Sequence, residues 1–333
     1  MRYIIIGAGA VGGSVGGRLA EAGHEVVLVA RGKHREVLRD RGLTLRTPDG
    51  PRTHRLPVVE DPAELGELLP DDVLFLTVKT QDAEAALAAW GTRPVAGGST
   101  AAEALPLVCA QNGVESERMA LRRFRRVYGM CVWLPSTYVE PGTVSAAGAP
   151  YTGMLHLGRY PAGTDDTARR IAADLESGRL LAPVVPDVMR WKYAKLLANL
   201  ANAVEALTGP LTGEAAPALF RRARAEGEAV LAAAGIEAVG EREQGEARAG
   251  RITFEPLDDG PRGGSSWQSL SRGTGTIEAD YLNGEIALLG RLHGVPTPVN
   301  DTLQRLANDF ARERREPGSM PVAELVALVD KAA

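Results

Sequence analysis

Three features of the sequence predict an α/β protein in which an N-terminal doubly wound parallel sheet is followed by an all-helical C-terminal part. The first thirty-one residues read as strand, glycine turn, helix and strand. Further apolar, β-branched runs at 73–78 and 105–109 each lead into a polar residue, as buried parallel strands do. From about residue 185 onward the apolar spacing becomes helical. On this reading residues 1–184 form a Rossmann-type first domain and residues 185–333 a helical second domain.

The opening unit carries the strongest signal. Residues 2–6 form a buried strand, Gly7-Ala8-Gly9-Ala10-Val11-Gly12 follows at once, a helix runs over 11–22, and 25–30 form the second strand. In that context G-x-G-x-x-G is a dinucleotide-binding fingerprint. Gly7 permits the tight turn, Gly9 lets the backbone approach a pyrophosphate, and Gly12 lets helix and strand pack closely. The first helical turn, with Ala10 and Val11, offers N–H groups and a positive dipole end to the phosphates. The residue closing the second strand selects between cofactors. An acid there would bind the ribose hydroxyls of NAD. This chain has Arg31, followed by Lys33, His34 and Arg35. A guanidinium can grip a 2′-phosphate, which favours NADP (NADPH) over NAD, although a solvated basic residue would also fit a strand end.

Further along, a helix is expected over 33–41 and a short strand over 43–46. A turn at Pro48-Asp49-Gly50 leads to a returning strand over 53–59, and a third parallel strand over 73–78 ends at Lys79. A helix over 81–90, a loop over 92–100 and a strand over 105–109 ending in Gln111-Asn112-Gly113 come next. Gly7, Arg31, Lys79 and Asn112 therefore share one rim, where ligands of open α/β sheets bind. Taken singly, Lys79 also reads as a solvated lysine and Asn112 as a plain turn residue. Strands over 126–138, 142–147 and 154–158, a turn at 148–150 and a helix over 165–176 close the domain. Helices are expected over 187–207, 217–234, 276–293, 299–313 and 322–331, with a polar, glycine-rich stretch at 237–264.

Composition narrows the classes. A net charge of −4 argues against a nucleic-acid binder, and the basic run at 122–126 reads as a solvated helix end. No apolar stretch is long enough to span a bilayer. A strand beginning at residue 2 leaves no room for a signal peptide, so a cytoplasmic protein is expected. Cys109 and Cys131 are isolated thiols, with neither disulfide nor metal spacing. The long apolar C-terminal helices could supply a homodimer interface.

On the 187–207 helix, Lys195 and Asn199 are four residues apart and share a face, with Asn202 three further on. Ser265 and Ser266 read as a helix cap on spacing alone, and Glu278 as a first-turn acid. Together with Gly7–Gly12, Thr77-Val78-Lys79, Gln111-Asn112-Gly113, Trp191 four residues before Lys195, Glu278-Ala279-Asp280-Tyr281-Leu282-Asn283-Gly284 and Gly294-Val295-Pro296-Thr297-Pro298, they resemble the ketopantoate reductase (2-dehydropantoate 2-reductase) family over nearly the whole chain. The resemblance implies NADPH-dependent reduction of a small 2-oxo acid to a 2-hydroxy acid at a cleft between the domains, without a metal, in pantothenate biosynthesis. It casts Lys195 as general acid, Glu278 as the acid that orients it, and Asn199 and Ser266 as substrate ligands. Lys79 and Asn112 would hold the nicotinamide ribose end and the substrate. Three positions depart from the family pattern. Ala203 replaces the second helix asparagine, with Asn202 about 100° away as a candidate substitute, Trp267 replaces a methionine, and Glu205 is atypical. These departures keep open a paralogue acting on another oxo acid or ketone. A 6-phosphogluconate-type or hydroxyacid dehydrogenase and a non-catalytic NADPH-binding protein are the remaining alternatives, the last disfavoured by the Lys195–Glu278 pair.

Overall fold

The computed structural model describes residues 1–255, 257 and 263–332. The chain divides into two compact units, Met1–Lys192 with Gly240–Gly260, and Tyr193–Val239 with Pro261–Ala333. The sequence reading put the boundary at 184/185. The units instead part inside a helix, and residues 240–260 return to the first unit. Of the polar stretch at 237–264, residues 256 and 258–262 lie outside those described.

The first unit opens with β1 (Arg2–Ile6), α1 (Ala10–Glu21), β2 (Glu25–Val29) and α2 (Gly32–Arg41). It continues with β3 (Leu43–Thr47), β4 (Gly50–His54), β5 (Val58–Val59) and β6 (Asp72–Leu76), then α3 (Thr80–Gly91). A small hairpin, β7 (Pro94–Val95) and β8 (Ser99–Thr100), leads through α4 (Ala101–Ala104) to β9 (Pro106–Cys109) and α5 (Ser116–Leu121). After these come β10 (Arg126–Trp133), β11 (Ser136–Glu140), β12 (Thr143–Ala146), β13 (Gly148–Pro150), β14 (Gly153–Arg159), α6 (Asp166–Ser177) and β15 (Leu180–Leu181).

Eight strands form one sheet in the order β15-β14-β10-β9-β6-β1-β2-β5, parallel from β5 to β10 and antiparallel at β10–β14. The order reverses beside β1, which makes the β1/β6 boundary the switch point of a doubly wound sheet. Alternation in β1 shows why both faces are covered. Tyr3 and Ile5 enter the core under α1 and α6, whereas Ile4 and Ile6 enter the core under α3, α4 and α5, and all four are at most 2% exposed.

A second sheet, β11-β12-β3-β4, covers the other side of α1. Helix α1 fits between the sheets because small residues line both its flanks. A Cβ on Gly16 would lie 3.0 Å from Leu28 of the main sheet, and one on Gly13 would lie 2.9 Å from Val144 of the second. Each mid-helix glycine costs about 1 kcal/mol against alanine, so packing has overridden propensity here.

Several expected elements are cut by proline or glycine. The 53–59 strand is two strands in two sheets, separated by Pro57, which has no N–H to donate to a ladder. Pro135 likewise divides the 126–138 strand into β10 and β11. The 148–150 turn is strand β13, whose partner β16 lies more than a hundred residues away and was invisible to local patterning. The expected 92–100 loop contains the β7–β8 hairpin, turned at Gly97 and Gly98 with φ of 103° and 92°.

Helix α7 (Val188–Asn199) runs across the division between the units, and α8 (Ala201–Thr208) follows after a break at Leu200. The 187–207 helix is thus two. Leu200 keeps helical dihedrals (φ −60°, ψ −22°), and its N–H still reaches Leu196 O at 3.2 Å. The second unit also contains α9 (Ala215–Ala233). Residues 240–260 then supply α10 (Glu241–Arg248) and β16 (Ile252–Phe254) to the first unit, and α11 (Ser265–Ser271), α12 (Asn283–His293), α13 (Pro298–Glu313) and α14 (Val322–Ala332) complete the helical unit. The helix expected from 276 starts only at Asn283. Gly273 and Gly275 take positive φ (59° and 80°), and residues 279–281 make a single 3-10 turn.

In the first unit, His156 on β14 stacks on Trp191 with ring centroids 3.7 Å apart. Burial pushes its pKa down to about 4, with Arg248 and Arg251 adding in the same direction. The unfolded imidazole titrates near 6.5, so the contribution to stability is complete above that pH and is lost as pH falls toward 4. Between pH 7 and pH 5 the wild type should lose about 2 kcal/mol more than a His156→Phe variant that keeps the stack. Urea unfolding of both proteins at the two pH values measures it, and equal losses would remove His156 as the cause.

Candidate functional site

The glycine turn lies at the switch point, at the C-terminal end of β1. Gly7 has φ +109°, and a Cβ there would lie 2.8 Å from Val78 N. Gly7 N and Ala8 N both donate to Val29 O, at 3.2 and 3.1 Å, which ties the turn to the end of β2. A Cβ on Gly12 would lie 2.1 Å from Gly7 O and 2.5 Å from Thr77 Oγ1, so this position accepts glycine alone. Thr77 Oγ1 donates to Gly7 O at 2.7 Å and joins the end of β6 to the same turn. Gly9 is different, because a Cβ on it would meet no protein atom within 4 Å. Gly9 also caps α1 without a side-chain cap and with no acid in the first turn. The N–H groups of Ala10, Val11 and Gly12 thus begin a helix that lacks an internal acceptor for them, beside open space. A phosphate fits that description.

The other predicted rim residues are strand-end or helix-capping groups of the same unit. Arg31 caps α2 with its side chain 79% exposed, near Asp82 at 3.4 Å. Lys79 caps α3, and Asn112 follows β9 half-buried. Of the basic residues behind Arg31, only Lys33 shares its solvent-facing character. Arg35 pairs with Glu60 and Glu64, at 3.0 and 2.6 Å. His34 Nε2 donates to Ala8 O at 2.7 Å, while its Nδ1 accepts from Gly142 N at 3.0 Å, a pattern that assigns a neutral ring. Burial lowers its pKa, opposed by the bond to Ala8. His34 therefore belongs to the scaffold of the glycine turn.

In the second unit, Lys195 and Asn199 lie one turn apart on α7, half-buried and 6% exposed respectively. The Asn199 amide nitrogen Nδ2 is buried and has no partner among the described residues. Buried polar atoms are nearly always paired, so this donor is suited to an incoming ligand. Asn202 is on α8, and its amide donates to Ser265 Oγ at 3.2 Å. Ser266, 4% exposed, lies in the first turn of α11, which packs on α8. The cap of α11 is Gly264, not a serine, and its N–H donates to Glu205 Oε2 at 2.8 Å. Glu278 precedes the 3-10 turn and accepts at its main-chain oxygen from Tyr281 N, at 3.0 Å. It is not in the first turn of α12, as the sequence had suggested.

Sequence reasoning missed three groups. Glu205 was flagged only as unusual, yet its carboxylate accepts the Gly264 N–H at the start of α11. His34 was read as part of a basic cluster. Lys192, one turn before Lys195, was not noticed. It is 1% exposed and pairs with Glu117 on α5, which is fully buried. Burial pushes the Glu117 carboxyl up, and the adjacent Lys192 ammonium opposes this. The available signal for it was a second lysine beside Trp191 on the helix that carries Lys195.

Residues 3–162 match the family model described as ketopantoate reductase PanE/ApbA, and residues 187–311 match its C-terminal counterpart. The chain is 30% identical to the 2-dehydropantoate 2-reductase of Archaeoglobus fulgidus, over 92% of this chain and 96% of that one. A crystal structure of a PanE/ApbA family ketopantoate reductase from Ralstonia eutropha superposes with a TM-score of 0.76 at 28% identity, covering 95% of this chain and all of that one. A ternary structure of D-mandelate dehydrogenase with NADH and anilino(oxo)acetate shares the fold, with a TM-score of 0.79 at 22% identity over 94% of this chain and 99% of that one.

The two glycines should respond differently to the same change. Gly12→Ala forces a methyl against backbone and should cost at least about 2 kcal/mol. Gly9→Ala should leave stability within about 0.5 kcal/mol of the wild type. Thermal and urea unfolding of both variants would check this, and equal destabilisation would contradict the geometry.

Proposed function

Because the chain belongs to the ketopantoate reductase family, we propose that it reduces a 2-oxo acid to the 2-hydroxy acid with NADPH, and that 2-dehydropantoate is that acid, in pantothenate biosynthesis in the cytoplasm. Family and relatives make it an oxidoreductase. The observation that carries the substrate side is the buried Asn199 Nδ2, one turn from Lys195, which has no partner among the described residues.

Each residue then has a task that its chemistry suits. The glycine turn and the first turn of α1, with Ala10 and Val11, receive the pyrophosphate, where Gly9 leaves room and the N–H groups lack acceptors. Arg31 grips the 2′-phosphate, which requires little rearrangement of a side chain that is 79% exposed and lies 3.4 Å from Asp82. Lys79 and Asn112 hold the nicotinamide ribose end and the substrate. The dinucleotide supplies a hydride when bound. Reduction at C2 places negative charge on the carbonyl oxygen, and the Lys195 ammonium stabilises that charge and delivers a proton to the oxygen. Glu278 keeps the ammonium oriented. Asn199 and Ser266 bind the acid, and no residue of the chain needs a metal for these steps.

A second reading rests on Ala203 and Asn202. Ala203 is 2% exposed and offers no donor, and the Asn202 amide is engaged by Ser265, so no second asparagine takes the family position. A paralogue reducing a less polar oxo acid or a ketone would fit that loss. D-mandelate dehydrogenase, of the same fold, was solved with NADH and anilino(oxo)acetate.

The deciding assay is NADPH oxidation with 2-dehydropantoate beside a panel of other 2-oxo acids. Turnover of 2-dehydropantoate that falls by about 10²-fold or more in Lys195→Ala supports the first reading and its proton donor. Turnover of another acid only would select the second. Arg31→Ala should weaken NADPH binding about tenfold or more and leave NADH binding little changed. Equal losses for both nucleotides would mean that Arg31 does not read the 2′-phosphate.

A further inference from the structure

A charged pair in the first unit has no part in the chemistry above. Lys192, near the middle of α7, and Glu117, on α5, have side chains 1% and 0% exposed, and the ammonium hydrogen-bonds Glu117 Oε1. The same ammonium donates to the main-chain oxygen of Gln111 at 3.1 Å. The Gln111 side-chain amide donates to the main-chain oxygen of Val78 at 3.1 Å. Gln111 and Val78 are the residues immediately before Asn112 and Lys79. One buried ammonium thus fixes, through one carbonyl and one amide, both strand-end turns that carry the proposed nicotinamide and substrate ligands.

Stability alone is a poor reason to keep such a pair. Burying two charges is expensive, and an apolar pair of similar volume is often neutral or better. Here the network is also incomplete, since Glu117 Oε2 has no partner among the described residues. Strand β10 even makes room for it. A Cβ on Gly129 would lie 3.4 Å from Glu117 Oε1 and 2.9 Å from Val188 Cγ1. What an apolar pair cannot do is donate a hydrogen bond to the Gln111 carbonyl.

We propose that Lys192, held by Glu117, is a positioning residue for the reduction, and that it acts by fixing the Gln111 carbonyl and hence the turns bearing Asn112 and Lys79. The proposal rests on the reductase reading for its kinetic consequence but not for its geometry. It also assigns the two lysines of α7 different work, with Lys192 placing the ligands and Lys195 delivering the proton.

The test is the double variant Lys192→Met with Glu117→Met, which removes both charges at similar volume and leaves no lone buried ion. Thermal unfolding should stay within a few degrees of wild type, and the NADPH Kd within threefold with one site per chain, because the pyrophosphate turn is untouched. The kcat on the best oxo acid should fall at least tenfold, and amide hydrogen exchange over residues 110–114 should speed up at least tenfold. A merely structural pair would lower thermal stability or the number of binding sites without a selective loss of kcat. Wild-type kcat in the double variant would overturn the proposal, as would unchanged exchange at 110–114. If the double variant does not fold, Gln111→Leu cuts the link to Val78 alone and should lower kcat with NADPH binding retained. Wild-type kcat in Gln111→Leu would equally overturn it. A wild type that turns over no oxo acid would fail the reductase reading, and the exchange measurement would still decide the positioning.

Discussion

The structure depends on how closely α1 can approach what surrounds it. This helix is enclosed between the eight-stranded sheet and the four-stranded one, and its first turn rests on the backbone of Gly7. Contact that close leaves no ordinary room for a Cβ at Gly12, Gly13, Gly16 and Gly17, so the helix gives up propensity for fit at those positions. In return its N-terminus is held at the switch point, where the strand order reverses and ligands of open α/β sheets bind. The dipole and the free N–H groups are then aimed by packing. No side-chain cap competes for them, and Gly9 leaves the approach open.

Around that fixed point, hydrogen bonds tie neighbouring strand ends into one frame. Val29 O accepts from both Gly7 and Ala8, Thr77 bonds Gly7, and Gln111 bonds Val78. His34 fastens Ala8 to Gly142 and so joins the glycine turn to the second sheet. Loops that carry ligands are the least stable parts of most folds. Here each has at least one backbone or buried anchor. The helical unit follows a different scheme, in which Asn202, Ser265, Gly264 and Glu205 lock α8 to the start of α11, while Asn199 Nδ2 has no partner among the described residues.

Much of this was legible in the chain because it is local. The strand, glycine turn, helix and strand of residues 1–31 each announce themselves by composition, and the polar residues that follow the apolar runs fall at strand ends as the pattern requires. What could not be read depends on distant partners or on single breakers inside a favourable pattern. β13 looked like a turn because its partner, β16, comes from beyond residue 250. Pro57 and Pro135 sit within segments that read as single strands, and only the sheet assignment reveals that the chain changes sheets there. Lys192 and Glu117 are seventy-five positions apart, and neither has a neighbour in sequence that hints at the other. Asn202 looked available as a substitute for the missing asparagine until Ser265 was seen to engage it. The roles proposed for Lys195, Asn199, Ser266 and Glu278 came from family resemblance, since helix spacing alone left each of them open to a bland explanation.

The return of residues 240–260 to the first unit bears on how such proteins can be recombined. The helical unit is not one contiguous segment, because the chain leaves it after Val239 to add α10 and β16 to the other unit. A cut at a single point therefore cannot separate the two as exchangeable cassettes. Residues 1–192 alone would leave β13 without its antiparallel partner, exposing a row of unpaired N–H and C=O groups of the kind that promotes aggregation. It would also strip the Trp133 ring of the Arg248 guanidinium that lies 4.2 Å above it. The two units of this chain can thus be exchanged only together with the interleaved strand β16.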